Sequence, residues 1–245
     1  MTYCWVVPHY NHATDFRTHL LPRLVDSVLP CIVVDDGSDP SNLEQLKTEV
    51  ARYESITLVQ HESNQGKGAA VLTGCRHART LGFTHIIQID ADGQHEPADA
   101  SRFISASQNA PRAIVSGYPI FDESVPKVRK YGRRITTFWV MLETCSLQIK
   151  DALCGYRVYP LDTVEQLVER FHFGHQMEFD TEILVKAVWQ DVPIVFIDTK
   201  VQYFDGGISH FHYTRDNLNL IKLHTGLMLR SFLRVPTLLL RRLRK

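Results

Sequence analysis

The chain has 245 residues, 44% of them hydrophobic, with 27 basic and 27 acidic side chains. That length and apolar fraction suit one sizeable globular core, and zero net charge removes the global field that draws a protein to nucleic acid. Five scattered cysteines without a CxxC pair give no sign of a zinc site or disulfide framework and suit a reducing compartment.

His9, Asn11, His12 and Asp15 interrupt the first apolar run too early for a signal peptide. No stretch nears the ~20 apolar residues that span a bilayer, so a cytoplasmic or peripheral protein is expected. Residues 3–8 read as a buried strand ending at Pro8, and 15–28 as a helix. Residues 31–35 are a second strand, and Asp39 and Pro40 open a helix through about 53. A strand over 56–59 precedes a helix over 66–81, with Gly82 at its end. Then come a strand at 85–89, a helix from about 97 to 107 and a strand at 113–116.

The second half is less regular. A long helix is predicted over 127–147, a loop and short strand over 151–159, and a helix over 178–190. Two short strands at 194–197 and 200–204 precede a final helical segment from about 214. Alternating strands and helices with continuously apolar strands predict an α/β fold, a Rossmann-like, mostly parallel sheet with helices on both faces. Ligands of such sheets sit beyond the carboxyl ends of the strands. Three polar motifs fall there: Pro8-His-Tyr-Asn11, Asp35-Asp-Gly-Ser38 and Asp90-Ala-Asp-Gly-Gln94.

Asp90 and Asp92 place two carboxylates at one strand end, a pattern that binds a hard divalent cation able to bridge a diphosphate. Gln94 can add a neutral oxygen. The plainer reading is a strand-to-helix turn, where Asp and Gly are common. Asp36 either accepts hydrogen bonds from a ribose or base edge or caps the next helix. Asn64-Gln-Gly-Lys-Gly-Ala-Ala70 opens the third helix, where glycines and helix-start amides favour anions. Its spacing is not that of a P-loop. Lys67 either reaches a phosphate or faces solvent.

In this order and spacing, Val6-Val-Pro-His-Tyr-Asn11, Val33-Val-Asp-Asp-Gly-Ser38, Asn64-x-Gly-Lys-Gly68 and Asp90-Ala-Asp-Gly-Gln-His95 resemble the family 2 glycosyltransferases. The nearest branch is that of dolichyl-phosphate mannose synthase and bacterial polyprenyl-phosphate transferases, whose loop after the long helix Asp151-x-x-Cys-Gly-Tyr-Arg157 resembles. The resemblance implies a GT-A fold over residues 1–212, a GDP- or UDP-linked sugar donor, a Mg²⁺ or Mn²⁺ ion and inversion at the anomeric carbon. It implies that Pro8, Tyr10 and Asp36 hold the nucleoside, and that Asp90, Asp92 and Gln94 form the metal and diphosphate site. Two departures stand out. His12 replaces the usual glutamate after Tyr-Asn, and His210 replaces the lysine of a Gly-x-Ser-Lys segment that reaches the diphosphate, making that charge pH-dependent.

Transfer to a hydroxyl needs a base, whereas an ionised phosphate acceptor does not. Glu178 and Asp180 stand at a helix start, as that base or as capping carboxylates. Arg129 and Arg133, with Arg157 in the later loop, are candidates for an anionic acceptor head group; a solvated basic face is the alternative for the helix pair. Residues 213–245 form an amphiphilic extension with Lys222, Arg230, Arg234, Arg241, Arg242, Arg244 and Lys245 and no acid after Asp216. Leucine clusters beside such charges suit contact with an anionic leaflet, here the inner face of the cell membrane, and a lipid-linked acceptor. The rivals are a sugar-nucleotide pyrophosphorylase, which places its glycine-rich loop after the first strand, and a non-catalytic sugar-nucleotide or lipid-binding protein with a degenerate site.

Overall fold

The computed structural model describes residues 1–121, 125, 127–202 and 213–243. Seven strands form one sheet: β1 (Tyr3–His9), β2 (Cys31–Asp35), β3 (Ile56–Gln60), β4 (His85–Gln88), β5 (Ile114–Ile120), β6 (Arg157–Pro160) and β7 (Ile194–Lys200). Their order is β3-β2-β1-β4-β6-β5-β7. All neighbours run parallel except β6, which is antiparallel to both β4 and β5. The central strands β1, β2 and β4 are buried nearly along their whole length because both faces are covered. Along β1, Cys4 and Val6 face one layer while Trp5 and Val7 face the other, the two-residue alternation of a pleated strand.

The helices are α1 (Ala13–Asp15), α2 (Leu21–Val25), α3 (Pro40–Val50), α4 (Lys67–Thr80), α5 (Ala100–Asn109), α6 (Lys127–Thr144), α7 (Leu161–Arg170), α8 (Phe179–Trp189), α9 (Tyr213–Phe232) and α10 (Val235–Leu243). Helix α4 lies very close to the sheet: a Cβ on Gly74 would come 2.3 Å from Val6 Cγ1. That approach brings the start of α4 to the strand ends.

Several boundaries differ from expectation. The helix expected over 15–28 starts at Ala13, contains a π turn over Phe16–Leu20 and ends at Val25. Val28 has φ 61° and so cannot extend it. The long helix stops at Thr144 because Cys145 is left-handed, φ 46°. The two short strands expected near 194–204 are one strand through Lys200, and 203–204 lie outside the described residues. Exposed Asp198 does not break it, since its side chain points away from the core. Helix α7 was not anticipated; Leu161, Val164 and Leu167 form its buried face, and Pro160 both closes β6 and stands at the N-cap of the helix.

Helix α9 packs on α6. Glu143 Oε1 and His224 Nδ1 meet at 2.7 Å in a buried pair, and the Trp139 ring stacks on His224. Burial pushes the Glu143 carboxyl up. Leu227 and Leu238 join the core while Ile221, Leu229, Phe232, Leu233 and Leu240 are exposed, so the C-terminal helices are part core and part surface. Among the described residues no helix is long and apolar enough to cross a membrane.

Candidate active site

The carboxyl ends of β1, β2 and β4 lie side by side, and the amino end of antiparallel β6 joins them, with Arg157 opposite Gln88. At their centre Lys67 Nζ stands 2.7 Å from Asp90 Oδ1 and 2.7 Å from Asp180 Oδ2. Gln88 Nε2 donates to Asp180 Oδ1 (3.3 Å), and Arg157 Nη1 donates to the Asp180 carbonyl (2.6 Å). Burial alone would raise Asp90, but the Lys67 ammonium beside it holds it below the usual carboxylate range. Burial likewise opposes the Lys67 charge, and Asp180 and Asp90 overcome it. Lys67, expected at a phosphate or in solvent, is a buried counter-ion for two carboxylates.

Removing that ammonium leaves two acids facing each other with little solvent. Lys67→Met should therefore cost about 3 kcal/mol of stability, the range for breaking a buried pair from one side. Chemical denaturation of the metal-free protein measures it, and a loss below about 1 kcal/mol would show the pair to be solvent-screened.

Asp92 follows on the turn made by Gly93 (φ 71°), and its Oδ1 accepts the Gln94 N–H at 3.0 Å. Burial, then the neighbouring Asp90, push Asp92 up to about 6. His12, at the position expected to carry glutamate, is near enough to pull it partly back. Asp90 and Asp92 thus differ: one is neutralised by a lysine, the other is short of positive charge. His95 is buried against Tyr156 and Cys154, where burial lowers it to about 4 and keeps the ring neutral.

The two carboxylates closing β2 hold the scaffold. Asp35 accepts from His9 Nδ1 (2.9 Å), from the Ser38 hydroxyl (2.6 Å) and from the Ser38 N–H (3.1 Å). Asp36 Oδ1 accepts from Gln65 N (2.9 Å) and His61 Nδ1 (2.7 Å), and its Oδ2 accepts from Gly66 N (2.7 Å). Asp36 does not cap α3; Asp39 does, accepting from Asn42 N. The glycine loop is closed as well. Ala69 N donates to His175 O, and Cβ atoms on Gly66 and Gly68 would meet His175 O at 2.3 Å and Phe179 Cβ at 2.6 Å. These glycines admit the start of α8, and the Gln65, Gly66 and Ala69 amides of the loop are already used.

Pro8 and Tyr10 are half-buried at the end of β1. Asn11, left-handed at φ 53°, donates its N–H to Ser38 Oγ and accepts from Asp39 N, both at 2.9 Å, which joins the β1 and β2 ends. Glu178 precedes α8 without a capping hydrogen bond and accepts from Gln176 N (3.3 Å). Arg133 Nη1 lies 2.8 Å from both oxygens of Asp151. Arg157, expected at an acceptor head group, has no exposed surface; its guanidinium donates to Tyr159 Oη, Asp180 O and Ala152 O, so it lies beneath the Lys67–Asp180 pair. The Arg129 side chain and His210 lie outside the described residues. Gly155 was not singled out in the sequence, yet a Cβ there would fall 2.3 Å from Asp90 Oδ2.

A near-parallel sheet with an acidic pair on the turn after β4 is the arrangement of a glycosyltransferase of the GT-A type. Residues 4–159 match the family Glycosyl transferase family 2, and the chain belongs to it. The undecaprenyl-phosphate mannosyltransferase of Micrococcus luteus is 29% identical over 217 residues, covering 83% of this chain and 87% of that protein. A dolichyl-phosphate beta-glucosyltransferase of Trichomonas vaginalis is 30% identical over 206 residues, covering 75% of this chain and 60% of that protein. Among solved structures, the glucosyl-3-phosphoglycerate synthase of M. tuberculosis superposes with a TM-score of 0.64 at 15% identity, covering 94% of this chain and 80% of that one. The last is a likeness of fold.

Proposed function

We propose that this glycosyltransferase moves a sugar from a UDP- or GDP-linked donor to a polyprenyl phosphate at a membrane surface, with inversion. The observation that carries the reading is Asp92, a carboxylate at the strand ends raised to about 6 beside Asp90 and short of positive charge. Two carboxylates and the Gln94 amide are hard oxygen donors that fit Mg²⁺ or Mn²⁺. Among the described residues no third acid, histidine or cysteine joins them in a metal cluster, as suits an ion whose remaining ligands come from phosphate. When bound, the ion offsets charge on the departing diphosphate. The M. tuberculosis synthase has been crystallised with Mn²⁺ and UDP-glucose, which supports the same use here.

The acceptor reading rests on the names of the relatives and on Asp180. Both its carboxylate oxygens are engaged, by Lys67 and Gln88, so it is poorly placed to take a proton. An acceptor phosphate is already ionised and needs no base: its oxygen attacks the anomeric carbon as the bond to the diphosphate breaks. Glu178 is the remaining candidate should the acceptor be a hydroxyl. Pro8 and Tyr10 flank the nucleoside, and Asp36 shapes its wall through Gln65 and Gly66. The segment bearing His210 continues from Gln202, whose N–H donates to Gln94 O (2.9 Å), and we assign His210 to the diphosphate.

The membrane reading is carried by α6 together with the extension over 213–245. Tyr131, Ile135, Phe138, Trp139 and Leu142 recur at helical spacing and are 37–61% exposed. Lys130, Arg134, Lys222 and Arg230 are exposed on the same pair of helices. An apolar face flanked by cations suits peripheral attachment to the anionic inner leaflet of the cell membrane. Phe138→Ser with Leu233→Ser should weaken sedimentation with anionic phospholipid vesicles by about tenfold or more, given ~1.5–3 kcal/mol per buried large apolar side chain. Unchanged vesicle binding, with the double variant folded, would move the membrane contact elsewhere.

The deciding experiment is nucleoside diphosphate release from a panel of UDP- and GDP-sugars, with Mg²⁺ or Mn²⁺ and with or without a short polyprenyl phosphate. Metal-dependent release stimulated by the lipid phosphate is expected from one donor. Donor binding without turnover would return the non-catalytic reading.

A further inference from the structure

The turn that carries Asp92 and Gln94 is gripped from outside the site by one side chain. Arg23, on α2, donates through Nη2 to Gly93 O (2.6 Å) and through Nη1 to His95 O (3.2 Å) and Glu96 Oε2 (3.3 Å). Its Nε donates to His19 O, which fixes the plane of the guanidinium. The turn and the helical segment touch closely: a Cβ on Gly93 would stand 2.6 Å from His19 Cβ and 3.1 Å from Arg23 Nη2. Gly93 directly follows Asp92, and His95 directly follows Gln94. The two carbonyls that Arg23 holds therefore bracket the Gln94 peptide and leave Asp92 little freedom.

We propose that Arg23 is a positioning residue for the cation and diphosphate site, acting through the backbone of the 92–95 turn. The proposal rests on that turn being the donor site, as argued above. Gly93, held at φ 71°, lies past the end of β4, where the His95–Val201 bridge steadies the turn through Gln202 N–H on Gln94 O and leaves the Gly93 and His95 carbonyls to Arg23. A planar fork can reach both carbonyls at once, and a lysine ammonium on a flexible stem cannot do so from one fixed plane. Loss of the fork leaves two partly buried carbonyls without their donor and widens the range of geometries the Asp92 carboxylate samples.

The test compares Arg23→Met and Arg23→Lys with Arg79→Met. Arg79 also makes several hydrogen bonds at once, to the carboxylates of Asp162 and Glu165 on the α4–α7 surface, far from the turn in the chain. In the metal-free proteins, amide hydrogen exchange over residues 91–96 should be faster in R23M than in wild type, while R79M leaves that segment unchanged. Mn²⁺ binding, followed by the loss of the free-ion electron-spin signal, should weaken about tenfold in R23M and less in R23K, the scale expected for a residue that orients metal ligands. Where turnover is measured, the donor KM and the Mn²⁺ requirement should rise while kcat at saturating metal changes little. Equal exchange in R23M and R79M, or Mn²⁺ binding by R23M within about twofold of wild type, overturns the proposal. A wild type that binds Mn²⁺, weakened in R23M, yet turns over no donor supports the positioning role and counts against the transferase reading alone.

Discussion

Replacing Asp92 should abolish transfer and at the same time stabilise the metal-free protein. Asp92→Ala removes a carboxylate from the proposed cation site, and loss of several kcal/mol of charge stabilisation at the leaving group corresponds to about 10³-fold in turnover. The stability effect runs the other way. Asp92 titrates at about 6 in the folded chain against 3.8 ordinarily, so between those values the folded state binds a proton that the unfolded state has released. Stability of the metal-free protein therefore falls as pH rises through this window, and the cost is complete above about 6. Because Asp92 is partly exposed, the full shift overstates it, and about 1–2 kcal/mol is expected.

Asp92→Asn should then raise the melting temperature at pH 7.5 by about 2–8 °C for a chain of this size. The two proteins should converge below about pH 4, where both are uncharged at this position. Mn²⁺ should raise the melting temperature of wild type and not of the variant. A scan with and without the ion, at several pH values, reads all of this. If Asp92→Asn melts lower than wild type at pH 7.5 without metal, the carboxylate is not strained by burial.

Gly155→Ala should cost far more activity than stability. Among the described residues Gly155 is not one of the left-handed glycines, so alanine fits its backbone, and the conflict lies with the Asp90 carboxylate. A Cβ would sit 2.3 Å from Asp90 Oδ2 and 2.6 Å from Asp90 Cγ. The Asp90 carboxylate is partly exposed and can swing to solvent while Lys67 keeps Asp180, so stability should fall by only ~1 kcal/mol, the low end of the range for overpacking. The swing carries Asp90 off its place beside Lys67, and a displacement of about 1 Å at a reacting centre costs on the order of 10²-fold. Melting and nucleoside diphosphate release on the same preparation separate the two effects. Activity within about threefold of wild type would mean that Asp90 is not held to that tolerance.

The sheet was legible because a parallel sheet covered on both faces needs apolar strands, and Cys31–Asp35 carries that mark, while Ile114–Ile120 is legible only over 113–116. Asp90 and Asp92 do follow the fourth strand as read, although a strand-to-helix turn accounts for two acids there just as plainly. What joins them to the fold was not. Lys67 meets Asp180 across 113 residues, and nothing local in Gly-Lys-Gly separates a phosphate ligand from a counter-ion. The Asp35-Asp36 pair looked like ligand chemistry, yet its partners His9, Ser38, Gln65 and Gly66 are ordinary loop and strand residues whose convergence is tertiary. Arg23 reads as any polar residue of a short helix. Gly155 reads as a turn glycine, since a missing Cβ leaves no pattern in the chain.

The antiparallel strand has a consequence for the chain as it leaves the ribosome. Strands β1 to β4 can assemble as soon as Gln88 emerges, with β3 as one edge and β4 as the other. The outer neighbour of β4 is β6, which begins only at Arg157. For on the order of 10 s of elongation, His85–Gln88 therefore stands as a bare sheet margin, open to pairing with another nascent chain. The need for chaperone protection is concentrated in that interval, and it ends when the segment from Gly155 to Pro160 both seals the margin and seats Asp90.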